Sequence, residues 1–171
     1  AYGISQANIA LGDNLMGDNF YPRAGDSLSS IDAGYNSRNP VIRGNYLTDI
    51  PIENKQGELN LAAYLNITIG DIKKDWHNVE VSQRFHFLRK NNLPQTAKSA
   101  CQDSVTEIGK LSHLALEKFV ENPNLSFNYM GVATHSIQDS YSNAHTVRLA
   151  PNSNRIDEVC NWGESQRFVC N

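Results

Sequence analysis

The sequence predicts an all-α fold, a single-domain helical bundle with long irregular loops. Three observations carry that prediction. Over residues 96–121, Ala97, Ala100, Cys101, Ile108, Leu111, Ala115 and Val120 recur at helical spacing and trace an apolar stripe. A second strongly helical stretch follows over 126–141. No run sustains the alternation of a strand, and no repeat or low-complexity tract interrupts the chain. Its 171 residues suit one domain, 1–171, with a substantial core.

Taken in order, Ile4, Ala7, Ala10 and Leu11 predict a first helix over 4–15. Residues 17–45 are rich in Gly, Asn, Ser, Asp and Pro and predict a long loop, of the kind that is usually functional or a mobile insert. Residues 46–50 either begin a short helix or stay extended. Leu59, Leu61, Ala62, Leu65 and Ile69 fall on one side of a helix expected over 57–73. Between Trp76 and Phe87 the period is unclear, since Val79 and Val81 alternate only briefly. Pro123 ends the long helix. Pro151 and Asn152 open an irregular tail.

Composition sets outer bounds. The chain is 40 % hydrophobic and 19 % charged, with a formal net charge of −3. That balance excludes strong nonspecific binding to duplex nucleic acid, which needs a surplus of Lys and Arg against phosphate. It leaves open a nucleic-acid substrate held by a local patch or a metal. No apolar run approaches the roughly eighteen residues of a membrane span. Among the three cysteines, Cys160 and Cys170 lie close enough for a bridge that pins the C-terminal tail. The alternative is two free thiols in a reducing compartment. Cys101 reads as a small apolar residue of a helix, and without a CxxC spacing no thiolate metal site is expected. The sequons at Asn66 and Asn124 matter only in a secreted eukaryotic protein.

The chemistry concentrates in Thr134-His135-Ser136-Ile137-Gln138-Asp139-Ser140-Tyr141-Ser142-Asn143-Ala144-His145. Residues four apart on a helix share one face, so His135 and Asp139 lie one turn apart and can share a cation. A turn near Ser142 and Asn143 would fold His145 back toward them. Imidazole nitrogen and carboxylate oxygen are ordinary zinc ligands; calcium prefers all-oxygen sets, and a closed structural zinc site prefers thiolates. Val132, Ala133 and Ile137 are available for burial on that helix. The alternative is a His–Asp pair on an exposed helix. His86, set between Phe85 and Phe87, is a further candidate, and its alternative is a core histidine satisfied by backbone. Upstream, Asp71, Asp75 and His77 offer two carboxylates and another imidazole. His113 lies on the long helix next to Leu114 and reads as structural.

With these residues in place, the His-x3-Asp-x5-His pattern resembles the signature of the zinc-dependent phospholipase C and fungal single-strand nuclease superfamily. Met130-Gly131-Val132-Ala133-Thr134 matches its small-residue helical approach, and His86 precedes His135 by the expected interval of about fifty residues. The resemblance covers residues 70–146. It implies an all-helical fold, a zinc cluster held by His86, His135, Asp139 and His145, and an upstream carboxylate, Asp75 in preference to Asp71, that orients or deprotonates the attacking water. Gly44-Asn45-Tyr46-Leu47-Thr48-Asp49 is similar to an element of heterokaryon-incompatibility-type proteins. It implies Asp49 as a further metal ligand, against the alternative of a helix cap.

The chain also departs from that superfamily. It begins Ala1-Tyr2-Gly3 instead of with Trp, has no His before His77 and none after His145. Those absences put the superfamily's full three-metal cluster in doubt, with Asp157 and Glu158 as tail carboxylates near His145. The function expected is a zinc-dependent phosphodiesterase of phospholipase C type. Phospholipid is favoured because no Arg/Lys–aromatic cluster stands out beyond Arg84-Phe85, although Phe20 and Tyr21 form an aromatic pair in the long loop. The alternatives are a single-strand nuclease, or a non-catalytic metal-binding toxin or interaction protein. The Ala1 start, the Cys160–Cys170 bridge and the resemblance together point to a secreted or periplasmic protein with peripheral membrane contact.

Overall fold

The computed structural model describes residues 37–90, 94–148, 150 and 155–165. The expected helix over 4–15, the Phe20–Tyr21 pair, Pro151, Asn152 and Cys170 lie outside them, as do the side chains of Asp71 and Asp75. The described chain is broadly helical.

Helix α1 spans Pro40–Asp49, so the end of the expected loop over 17–45 is helical. The start signal is local. Asn39 accepts hydrogen bonds from Val41 N at 3.0 Å and Ile42 N at 3.3 Å, and Pro40 fills the first turn, where its missing N–H costs nothing. Periodicity misses this helix because its buried side carries Arg43, Gly44 and Thr48 alongside Val41 and Leu47.

The single helix expected over 57–73 divides into α2, Leu61–Leu65, and α3, Ile69–Asp75. Asn66 adopts φ 55°, the left-handed conformation that asparagine tolerates and that terminates helices. Short 3₁₀ turns follow at Trp76–Asn78 and Gln83–Phe85. Helix α4, Ala97–Lys118, starts where Thr96 accepts from Ser99 N at 3.1 Å. Helix α5, Pro123–Asp139, starts at the proline that ends its predecessor, with Asn122 capping Leu125 N at 3.1 Å.

Contrary to the expectation of no strands, Thr146–Arg148 (β1) and Ile156–Val159 (β2) pair antiparallel, Thr146 opposite Val159 and Arg148 opposite Ile156. Runs of three and four residues give too few alternations to be read from sequence. Helix α6, Trp162–Ser165, follows, so the expected irregular tail carries ordered elements. Among the described residues no helix is long and apolar enough to cross a membrane.

Leu59, Leu61, Ile72, Trp76, Phe85, Leu111 and Val132 form the core. Helices α1 and α5 pack with their backbones in direct approach. A Cβ at Gly131 would fall under 3.0 Å from Val41 O and Asn45 N, and one at Gly44 would fall under 3.0 Å from Asn128 O. Both positions therefore require glycine, and the close seam sets the distance between the two helix ends. Asn128 pins the same seam: its Nδ2 donates to Pro40 O at 2.7 Å and its Oδ1 accepts from Leu59 N at 3.0 Å.

Candidate metal centre

The last residue of α1 is Asp49 and the last residue of α5 is Asp139. Their carboxylates thus sit where the helix dipoles are negative, an arrangement that disfavours two anions and favours a cation. Between them stand two imidazoles. His135 lies on α5 one turn before Asp139 and is buried, whereas Ile137, expected in the core, is 45 % exposed. The buried arc of α5 instead runs through Asn128, Val132, His135 and Ser136.

His86 follows the 3₁₀ turn at Gln83–Phe85 and is 1 % exposed. Its neighbours Phe85 and Phe87 are buried as well, and Phe87 takes φ 52° to turn the chain back. Ser136 Oγ donates to Phe85 O at 2.6 Å, fastening this turn to α5.

His86 Nδ1 lies 3.3 Å from His135 Nε2, 3.4 Å from Asp139 Oδ2 and 3.8 Å from Asp49 Oδ1. His135 Nε2 lies 3.1 Å from Asp139 Oδ2 and 3.5 Å from Asp49 Oδ1. A tetrahedral zinc with ligands at about 2.05 Å has ligand–ligand edges of about 3.3 Å, so these five separations scatter around that edge. Only the 3.1 Å pair falls within the ordinary hydrogen-bond range, and the other four are longer. Asp139 Oδ2 and His86 Nε2 are buried without a hydrogen-bond partner of good geometry. A buried carboxylate oxygen crowded by imidazoles yet unsatisfied fits a cation as its missing partner.

The electrostatics agree. Burial works against the charged form of His135, but Asp139 and Asp49 outweigh it and hold the ring's pKa up at about 9. Burial pushes His86 down to about 4, with Asp139 opposing only in part. Burial also works against ionised Asp139, yet His135 and His86 keep it well below the usual carboxylate range. Asp49 is lowered too: its burial is outweighed by the hydrogen bond from His77 and the charge of His135. The metal-free cluster therefore holds two carboxylates against one imidazolium.

His86, His135, Asp139 and Asp49, all expected as ligands, meet at this point. His145, the fifth, lies beside them in a different posture. Its Nδ1 donates to His86 O at 2.7 Å and stands 3.7 Å from Asp139 Oδ2. It braces the His86 backbone, and Cys160 N in turn donates to His145 O at 2.8 Å. Asp157 and Glu158 are engaged elsewhere, with Arg155 at 3.1 Å and Arg89 at 3.6 Å. His113 is exposed and pairs with Glu117 at 3.1 Å.

The sequence offers His77 only as a further imidazole beside Asp71 and Asp75, and the structure sets it against Asp49. Its Nε2 lies 3.5 Å from Asp49 Oδ1, and its ring stacks on Trp162 with centroids 4.4 Å apart at 11°. His77 occurs in the same charged stretch as Asp75, but nothing in the sequence signals its stacking partner far down the chain. No family model, curated protein or solved structure matches this chain.

Proposed function

We propose that this chain is a zinc-dependent phosphodiesterase, a single-domain helical bundle with long irregular loops and a metal at His86, His135 and Asp139. One observation carries the reading: three ligand atoms close around a point at zinc-like edges, with the half-exposed Asp49 on its solvent side. Three protein ligands leave a position for water or substrate, as a catalytic zinc requires. Zinc bound there would polarise a phosphoryl oxygen and lower the pKa of a coordinated water.

The residues around it have separate tasks. Asn45 hydrogen-bonds the His135 ring through its backbone and fixes its orientation. Asp49, ionised and reachable from solvent, is placed to hold an incoming water or complete the ligand set. Asp75, in preference to Asp71, is the carboxylate proposed to take the proton from that water.

Phospholipid is the favoured substrate, with the protein secreted or periplasmic and touching the membrane only peripherally. Arg84 does lie over Phe85 at 5.5 Å, but Phe85 is fully buried and offers no face to a base. Single-stranded nucleic acid is the second reading, and one contact favours it. The Arg148 guanidinium lies 4.3 Å over the ring of Tyr141, which is 62 % exposed and two residues past Asp139.

The test is zinc content by elemental analysis, with hydrolysis of phosphatidylcholine vesicles and of a single-stranded oligonucleotide, on wild type and His135→Ala. Bound zinc and zinc-dependent turnover of either substrate, both lost in the variant, support the reading, and the preferred substrate decides between its forms. Zinc without turnover makes the chain a non-catalytic metal-binding protein. A folded wild type that takes up no zinc overturns the reading.

A further inference from the structure

A cavity of about 180 Å³ opens between residues 80–90 and helix α4, and none of His86, His135, Asp139 and Asp49 lines it. Its charged lining is balanced, with Glu80, Asp103 and Glu107 against Arg84, Lys90 and Lys110. Several of these are spent on partners within the chain. Glu107 is buried; its Oε1 accepts from Tyr64 Oη at 2.5 Å, and its Oε2 faces Arg84 Nε at 3.0 Å. Asp103 accepts from Gln95 Nε2 at 2.8 Å.

Glu80 is left over, and its Oε1 is buried with no hydrogen-bond partner. Gln83 is 1 % exposed, and its Nε2 donates to His77 O. That bond fixes the amide, so Gln83 Oε1 is the polar atom left for the cavity, and it too is buried without a partner. Two such acceptors, one of them a carboxylate, call for a donor that carries positive charge. The lysines do not supply it. Lys110 Nζ comes no nearer to an acid than 3.9 Å from Glu107 Oε2, and among the described residues no ion pair within 4.0 Å joins Glu80 to Lys90 or Lys110. Charges of both signs thus stand apart on one cavity. We infer that it binds a small zwitterion, the ammonium held by Glu80 and Gln83 and the carboxylate by Lys90 and Lys110. An apolar cavity of roughly 150 Å³ accepts a six-carbon ring, so a ligand of about six or seven non-hydrogen atoms fits the space. Water could bridge the two buried oxygens, but it brings no charge to either end.

The experiment is calorimetric titration of the full chain with 4-aminobutanoate, butylamine and butyrate, on wild type, Glu80→Gln and the double variant Lys90→Gln/Lys110→Gln. The zwitterion should bind wild type at one per chain, more tightly than butylamine and far more tightly than butyrate. Glu80→Gln should weaken it about 10- to 100-fold, the worth of one hydrogen bond to a charged group. The double variant should bring the zwitterion to the level of butylamine and leave butylamine unchanged; because its changes lie at the outer end, it decides the question should Glu80→Gln fold poorly. No saturable binding of 4-aminobutanoate, nor of the shorter glycine and β-alanine, overturns the site and leaves water as its occupant. Butylamine or butyrate binding as tightly as the zwitterion overturns the two-ended site. Undiminished binding to a folded Glu80→Gln places the probe elsewhere and overturns it as well. None of these outcomes bears on zinc at the centre.

Discussion

Zinc entering the proposed site near neutral pH should expel one proton, and the proton should come from His135. In the metal-free protein Asp139 and Asp49 hold that ring's pKa at about 9 against the effect of burial. At pH 7 roughly 99 rings in 100 are therefore protonated. Coordination needs the lone pair on Nε2, so binding displaces the proton. His86, with its pKa near 4, is already neutral there, and both carboxylates are ionised. The apparent Kd should then fall about tenfold for each pH unit between 6 and 8 and level off above 9. Calorimetric titration at pH 7 in two buffers of different ionisation enthalpy measures the proton number, expected near one. A proton number near zero, or a Kd flat from pH 6 to 8, would refute a His135 that Asp139 and Asp49 keep protonated until zinc enters.

The same groups set the stability of the metal-free protein. His135's folded pKa exceeds its unfolded value, so its contribution is complete below pH 6.5 and is lost as pH rises to about 9. Taken in full, that shift corresponds to about 3 kcal/mol. His86 acts in the opposite sense. From pH 6.5 down to about 4 the unfolded chain accepts a proton that the folded ring refuses, so stability falls as the medium becomes acid. Metal-free stability should thus be greatest near pH 6.5. Saturating zinc should flatten the alkaline decline, because the liganded ring is neutral throughout.

Other perturbations test the scaffold. Gly131→Ala forces α1 and α5 apart at their backbone seam and should cost about 1–3 kcal/mol by denaturant unfolding. It should also weaken zinc binding, because Asp49 and Asp139 lie on opposite sides of that seam. Asn128→Ala leaves Leu59 N without its acceptor in the interior and removes a second bond to Pro40 O, and should cost about 1–3 kcal/mol, with zinc stoichiometry unchanged once the protein is folded. A Cys160–Cys170 bridge, proposed from the sequence, should appear as one unreactive cysteine pair on alkylation before reduction, leaving Cys101 as the labelled thiol. Replacing both by serine should cost about 3 kcal/mol.

What the sequence displayed was whatever local chemistry fixes. The long helices announced themselves through an apolar period and through Pro123 between them, although that proline begins the second helix three residues before the expected start at 126. His135 and Asp139 were legible as a pair because helical spacing alone puts them on one face. Helix α1 was not, since its buried side is built from Arg43, Gly44 and Thr48, whose burial depends on partners distant in sequence: Glu58 for Arg43 and the α5 backbone for Gly44. The break at Asn66 turns on one left-handed residue inside an apolar stripe that runs on in helical register to Ile69. Asp49 could be suggested only by resemblance, and His77 only as another imidazole beside Asp75, because its contact with Asp49 depends on the fold and its stacking on the return of the chain at Trp162.

These features share one physical cause. The glycine seam lets two helices end side by side, and each ends on an aspartate, so two carboxylates and two dipole termini converge on one partly dry point. A protein that only needed to close this seam would be more stable with neutral residues there, since burying charge without full pairing costs several kcal/mol. Among the described residues, relief comes chiefly from the proton that Asp139 and Asp49 hold on His135. The 3.1 Å contact from His135 Nε2 still leaves Asp139 Oδ2 short of good hydrogen-bond geometry, and Asp49 is shared among imidazoles at 3.5–3.8 Å. A divalent cation replaces that proton with twice the charge, at ligand separations the fold already provides. On the proposed reading the cluster receives that cation, and the proton number on zinc binding is the quantity that measures the exchange.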